Sequence, residues 1–402
     1  MSPTPSSPPR TERKNVVVLA CLQALLLANG STAIALNALV GQALATDKSL
    51  ATLPVTGWVT GGALATYFAS LLMKRVGRRR GFLVGTAFGG VGALVCAAAI
   101  HAGSFWLFVA GASVFGVYNA FGQYYRFAAA DAVPGAAKAR AISFVLAGGL
   151  VGGVIGPSTS RVTVHALATP YLGAYLGLLV FLALAVVALG FLDLPPPSLV
   201  DARDPGRPLA VVVSQPAFLV AVLAASFGFG VMSLLMTATP LAMGACGHPY
   251  GAAATVITSH VVGMYGPSFF TGGLIARFGV FKVMLAGVVL NLACIAVGLS
   301  GVHVSHFWWS LVLLGVGWNF LYIGGTTLLT EAYRPAEKAK AQGFNDASVS
   351  VVTAISSFAS GLILREGGWE TLNYAAIPFV LAIGAATLWF WLSGRASTPA
   401  PA

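Results

Sequence analysis

The chain has 402 residues, 57% of them hydrophobic and 8% charged, with a formal net charge of +11 and a mean hydropathy of +0.85. Soluble domains carry about 25% charged residues, so a water-soluble globular fold is excluded and the chain reads as a membrane protein. The four cysteines, Cys21, Cys96, Cys246 and Cys294, are scattered without CxxC spacing, which excludes a disulfide framework and a thiol-based zinc site.

Residues 1–14 are rich in Pro and Ser and read as a disordered cytoplasmic tail. The apolar run that follows continues to about residue 45, longer than the h-region of a signal peptide, and reads as a retained first helix. Runs long enough to cross about 30 Å of hydrocarbon recur near residues 15–45, 53–73, 81–101, 104–130, 142–164, 168–193, 216–243, 252–275, 281–301, 306–332, 342–364 and 372–393. The expectation is therefore an all-α membrane protein of twelve transmembrane helices. Six lie in an N-terminal half, 15–193, and six in a C-terminal half, 216–393. Residues 194–215, Pro-rich and charged with both signs, read as a cytoplasmic linker, and 394–402 as a second cytoplasmic tail. With both termini in the cytoplasm, 19 of the 22 Lys and Arg fall on the inner side and only Lys48, Arg161 and Arg365 on the outer. That bias satisfies the positive-inside rule, and nucleic acid is not needed to explain the net charge.

The first span carries Asn29, Gly30, Ser31, Thr32 and Asn37, a polar stripe that should face other helices or a cavity; close packing of small residues is the alternative. After the second span comes Ser70-Leu-Leu-Met-Lys74-Arg75-Val-Gly77-Arg78-Arg79, echoed about 202 residues later by Gly272-Gly-Leu-Ile-Ala276-Arg277-Phe-Gly279. Tyr118-Asn119, Asp131 and Lys138-Ala-Arg140-Ala are echoed by Trp318-Asn319, Glu331 and Lys338-Ala-Lys340-Ala. Two repeats of about six helices are the signature of a transporter with its site near the membrane midplane.

The loop between the second and third spans resembles that of the major facilitator superfamily, G-x-L-x-D-R-x-G-R-R, with Ser70 in place of the first Gly and Lys74 in place of the Asp. The resemblance covers nearly the whole chain. It implies that Asp131 and Glu331 pair with loop arginines such as Arg75 and Arg277, and that the start of the eleventh span docks on the loop. Asp346 lies at that start, where an anion suits the helix dipole, so Lys74 and Asp346 are expected to form a gating pair; a solvated lysine is the alternative. Arg126, near a cytoplasmic end, is expected to snorkel. Gly148-Gly149, Gly152-Gly153 and Gly156-Pro157 resemble a glycine-proline motif that is commonest in the family's antiporters; glycines every fourth residue let helices approach closely. Asn119, together with Trp318, Asn319 and Tyr322, is read as cavity lining.

The seventh and eighth spans carry the strongest chemical signal. Met232 and Met236 on one, and His260 and Met264 on the other, are spaced i, i+4 and so stack on one helix face. If the two helices are adjacent and antiparallel, all four side chains come level in depth, a cage of three thioethers and one imidazole suited to Cu(I). Packing is the alternative, because Met fills cores readily. Yet four of the seven methionines, Met232, Met236, Met243 and Met264, lie on this hairpin. Met243, Cys246 and His248 by the outer loop carry donors that could form an outer loading site, with an ordinary loop as the alternative.

MxxxM on the seventh span and HxxxM on the eighth resemble the CcoA-like copper importers of bacterial inner membranes. The resemblance implies a multi-pass inner-membrane importer that moves copper, as Cu(I), from periplasm to cytoplasm and supports cbb3-type cytochrome oxidase assembly. Copper is then the substrate and no prosthetic group is implied; the expected partners are membrane lipid and a downstream copper chaperone or copper ATPase, with the carrier a monomer. All eleven Asp and Glu fall in tails, loops or near helix ends, and a neutral thioether-imidazole site needs no central carboxylate. A proton-coupled efflux antiporter for a small hydrophobic compound is the alternative, and a copper receptor without flux a third reading. No hydrolytic or redox constellation is visible, which speaks against an enzyme.

Overall fold

Inside hydrocarbon no water is at hand to bond backbone N–H and C=O groups, so a spanning segment must satisfy them within itself. This chain does so with helices. The computed structural model describes residues 10–47, 50, 53–194 and 206–393, and among them there is no strand. Two compact units divide the chain, Met1–Arg203 and Asp204–Ala402. The first holds α1 (Arg10–Leu44), α2 (Leu53–Val76), α3 (Arg78–Ala102), α4 (Phe105–Gly122), α5 (Tyr125–Asp131), α6 (Lys138–Thr163) and α7 (Leu172–Gly190). The second holds α8 (Leu209–Val213), α9 (Pro216–Ala245), α10 (Tyr250–Tyr265), α11 (Ser268–Phe278), α12 (Val280–Leu299), α13 (Val304–Glu331) and α14 (Lys338–Leu392).

Ten helical stretches among the described residues are long and apolar enough to cross a membrane, and two breaks account for the remaining spans of a twelve-helix fold. The eighth span, expected to be continuous, is α10 plus α11: Pro267 has no N–H to donate and interrupts the ladder between them. The eleventh and twelfth spans run together as α14 and turn at Gly368, whose φ of 73° and ψ of −173° would strain any residue with a Cβ. The fourth span is also interrupted, at Gln123-Tyr124, without a proline. There the guanidinium of Arg126 donates to the Gln123 carbonyl at 2.9 Å, capping a group the broken helix would leave exposed.

Residues 10–14, expected in a tail, are instead the first turn of α1, with Glu12 at the positive end of the helix dipole. Asn15 then holds that end in place: its Nδ2 donates to the Asp193 carbonyl at 2.7 Å and its Oδ1 accepts the Asp193 N–H at 2.9 Å. Residues 1–9 and 394–402 of the expected tails, and 195–205 of the expected linker, lie outside the described residues.

Within the first unit α6 lies along α1, α4 is flanked by α2 and α3, and α7 packs on α3 and α1. The second unit repeats the scheme, with α14 along α9, α13 flanked by α10 and α12, and α14 also on α12. In the α1–α6 seam a Cβ at Gly148, Gly152 or Gly156 would come within 2.2, 2.0 and 2.4 Å of the carbonyl oxygens of Ala20, Ala24 and Ala28. The glycine spacing thus sets two backbones in contact, turn by turn. Gly152→Ala should destabilise the purified protein by about 1–3 kcal/mol in a thermal-unfolding assay, whereas Gly177→Ala, where a Cβ meets nothing within 4 Å, should leave the midpoint unchanged.

The second unit has a clamp with no counterpart in the first, because Ala137 stands at the repeat position of Glu337. Glu337, in the turn before α14, has its side chain fully buried. It receives Arg207 Nε and Nη2, each at 2.6 Å, and the N–H groups of Arg207 and Arg334 at 3.0 and 3.1 Å. Lys340 Nζ also donates to the Arg207 carbonyl. The hydrogen bonds from the Arg207 side chain are the main cause that lowers the Glu337 pKa from the ordinary 4.5 to about 2, and the same bonds raise that of Arg207. This stabilisation is complete above about pH 4.5 and is lost as pH falls toward 2. Glu337→Gln should therefore cost about 2–3 kcal/mol at pH 7 and flatten the acid limb of the stability-against-pH curve.

Candidate functional site

The four soft donors lie on α9 (Met232 and Met236) and α10 (His260 and Met264). α9 packs chiefly on α14 and α13, α10 packs on α13, and α9 and α10 touch over a short stretch. The reason is a small-residue seam. A Cβ on Gly315 of α13 would lie 2.6 Å from the His260 carbonyl and 2.8 Å from the Met264 N, so α10 settles against α13 rather than against its hairpin partner. Met232, Met264 and His260 are buried, and Met236 is half-buried. The His260 ring is fixed by a 2.7 Å hydrogen bond between Nδ1 and the Leu311 carbonyl of α13, while its Nε2 is enclosed without a partner. Among the described residues no group of three or more His, Cys, Asp and Glu could hold a metal ion.

Three helices, α9, α10 and α13, together carry an aromatic box. Trp318 and Tyr322 of α13 stack at 4.9 Å between centroids and 19° between planes. Phe229 of α9 meets both edge-on, at 5.1 and 5.0 Å, and Tyr265 of α10 meets Trp318 at 5.8 Å. The Trp318 indole N–H is enclosed and has no partner. Trp318 was legible from the repeat and Tyr322 was read as cavity lining on the same span; Phe229 and Tyr265 sit on two other helices, and no spacing joins them.

Asn319, expected to line the cavity with Trp318, turns the other way and is wholly buried. Its Nδ2 donates to the Met264 carbonyl and to Ser268 Oγ, both at 2.6 Å, and its Oδ1 accepts from Thr271 Oγ1 at 2.7 Å. It staples both sides of the Pro267 kink to α13. Its repeat partner Asn119 is half-buried on α4.

At the outer loop Met243 is buried, Cys246 is exposed, and His248 bonds the Val302 carbonyl through Nε2 at 2.7 Å. The loading-site donors thus face different surroundings. In the first unit Arg126 does not snorkel: it is 2% exposed and lies over the Phe127 ring at 4.4 Å. The polar stripe of α1 is buried at Asn29, Thr32 and Asn37, and Asn37 Oδ1 accepts from Tyr175 at 2.6 Å. Of the expected gating residues, Asp131 pairs with Arg78 at 3.2 Å, Arg75 and Arg277 are exposed, Glu331 ends α13 exposed, Lys74 is half-buried, and buried Asp346 accepts from Asn345 at 2.7 Å.

The sequence pattern of the Major Facilitator Superfamily matches residues 19–267 and 232–402. The chain belongs to the major facilitator superfamily. It is a multi-pass membrane transporter. The riboflavin transporter RfnT of Brucella anthropi is 40% identical over 376 residues, 92% of this chain and 94% of that protein. YdeG of Bacillus subtilis, an uncharacterized MFS-type transporter, is 31% identical over 385 residues, 90% of this chain and 88% of that one. The E. coli fucose:proton symporter FucP superposes with a TM-score of 0.77 at 17% identity, over 94% of this chain and 99% of that chain, which shows the shared fold alone. None of these three is named for copper.

Asn319→Ala removes the three hydrogen bonds that join α13 to Met264, Ser268 and Thr271 across the Pro267 kink. It should lower stability by about 1–3 kcal/mol, read as an earlier thermal-unfolding midpoint in detergent.

Proposed function

We propose that this chain carries riboflavin or a closely kindred flat heteroaromatic solute across the membrane. The observation that carries the reading is the box of Phe229, Tyr265, Trp318 and Tyr322 with its unpartnered indole N–H. Aromatic faces bind planar rings at about 1–3 kcal/mol per stacked ring, and the enclosed indole N–H is a donor for a ring carbonyl. What favours riboflavin over other flat rings is the 40% identity to RfnT along 92% of the chain. Span centres without carboxylates suit an uncharged ring system rather than an organic cation. The Lys and Arg bias supports a bacterial cytoplasmic membrane with both termini inside.

A second reading, copper import, is favoured by one feature, the bare Nε2 of His260 with Met264 one turn along the same helix. Met232 and Met236 would then have to join them from α9. Uptake of labelled riboflavin and of copper by the same proteoliposomes separates the two. Riboflavin flux is expected, with kcat/KM reduced about tenfold or more in Trp318→Ala and copper flux at the level of empty vesicles. Copper flux that falls in Met236→Ala, without riboflavin flux, would replace the first reading by the second.

A further inference from the structure

Polar side chains along the α10–α13 contact are satisfied almost throughout. Trp308 donates to Ser259 at 2.8 Å, and Asn319 is bonded on both sides. Two ring atoms stand apart, His260 Nε2 and Trp318 Nε1, both enclosed and both without a partner. Buried polar atoms left unmatched are costly and rare, so each calls for an account.

Their polarities can be assigned. The Leu311 carbonyl oxygen can only accept, so the His260 Nδ1 that lies 2.7 Å from it bears the proton. In the neutral ring Nε2 is therefore a bare acceptor. The indole Nε1–H of Trp318 is a donor and nothing else. Leu311 and Trp318 are seven residues apart on α13, about 10 Å along its axis, and two turns bring them back to nearly the same face. One acceptor and one donor thus mark a single strip of this half, with the aromatic box at the donor end.

We infer that His260 Nε2 accepts a hydrogen bond from a ring N–H of the transported heterocycle, which makes His260 a specificity-determining residue for solutes with a free imide or lactam N–H. This rests on the flavin-class reading above. The pyrimidinedione ring of a flavin carries an imide N–H between two carbonyl groups, so it offers the donor that His260 lacks. Alkylation of the imide nitrogen removes the donor and sets a methyl group against the imidazole edge.

The test compares kcat/KM for riboflavin and for 3-methylriboflavin in proteoliposomes of the full chain. Wild type should favour riboflavin by about tenfold or more. His260→Ala, which removes the acceptor and opens space, should bring the ratio close to one. His260→Phe, which keeps a ring but no acceptor, should lower riboflavin transport alone. His260→Gln, with an amide oxygen as substitute acceptor, should retain part of the preference and serves if the alanine variant fails to fold. An equal fall for both flavins with an unchanged ratio means a merely structural histidine and overturns the inference. So does His260-dependent binding of Cu(I) to the purified protein with the flavin ratio unmoved. Absence of riboflavin flux in the wild type rejects the flavin reading itself, whereas normal flux with an unaltered ratio rejects only the role of His260.

Discussion

Helices already bathed in hydrocarbon gain little from hiding apolar surface, so they associate through van der Waals contact at short range. In both halves of this chain that contact is made where glycine lets one backbone touch another. Gly148, Gly152 and Gly156 seat α6 on the carbonyl oxygens of α1, and Gly315 seats α13 on the backbone of α10 at His260 and Met264. The second seam decides the chemistry of the C-terminal half. By drawing α10 to α13, it ties His260 to the Leu311 carbonyl and brings Tyr265 to Trp318. A bulkier residue at 315 would hold the helices apart and dissolve both contacts.

Much of the fold was legible because it rests on local signals. Apolar length marked the spans, and the echoes of Tyr118-Asn119 in Trp318-Asn319, of Arg75 in Arg277 and of Asp131 in Glu331 marked the repeat. What escaped was whatever depends on distant partners. Nothing around Glu337 announces Arg207, 130 residues away. The break at Gln123 has no proline to signal it and is capped by Arg126, whose nearness to a helix end suggested an exposed side chain instead. The i, i+4 spacing placed each Met or His pair on one face correctly, but spacing within a helix does not say which neighbour that face meets. Sequence adjacency suggested α9, which α10 does touch, while the close backbone seam with α13 has no sequence spacing that announces it.

Met232, Met264 and His260 also show how one set of residues can suit two chemistries. Thioethers are soft ligands, yet they are equally the most adaptable packing groups beside aromatic rings. A lone pair on imidazole can meet a soft cation or an N–H. In this half four aromatic rings from three helices pack on one another, and the Met and His side chains share two of those helices.

The Asn15 bond to Asp193 has an evolutionary consequence. It stitches the beginning of the first span to the end of the sixth, so the N-terminal six helices form a loop of chain whose two ends lie side by side. A unit closed in this way can be copied in tandem or reopened elsewhere without disturbing its interior. Gene duplication, the simplest origin of a transporter made of two echoing halves, needs a starting piece of that kind.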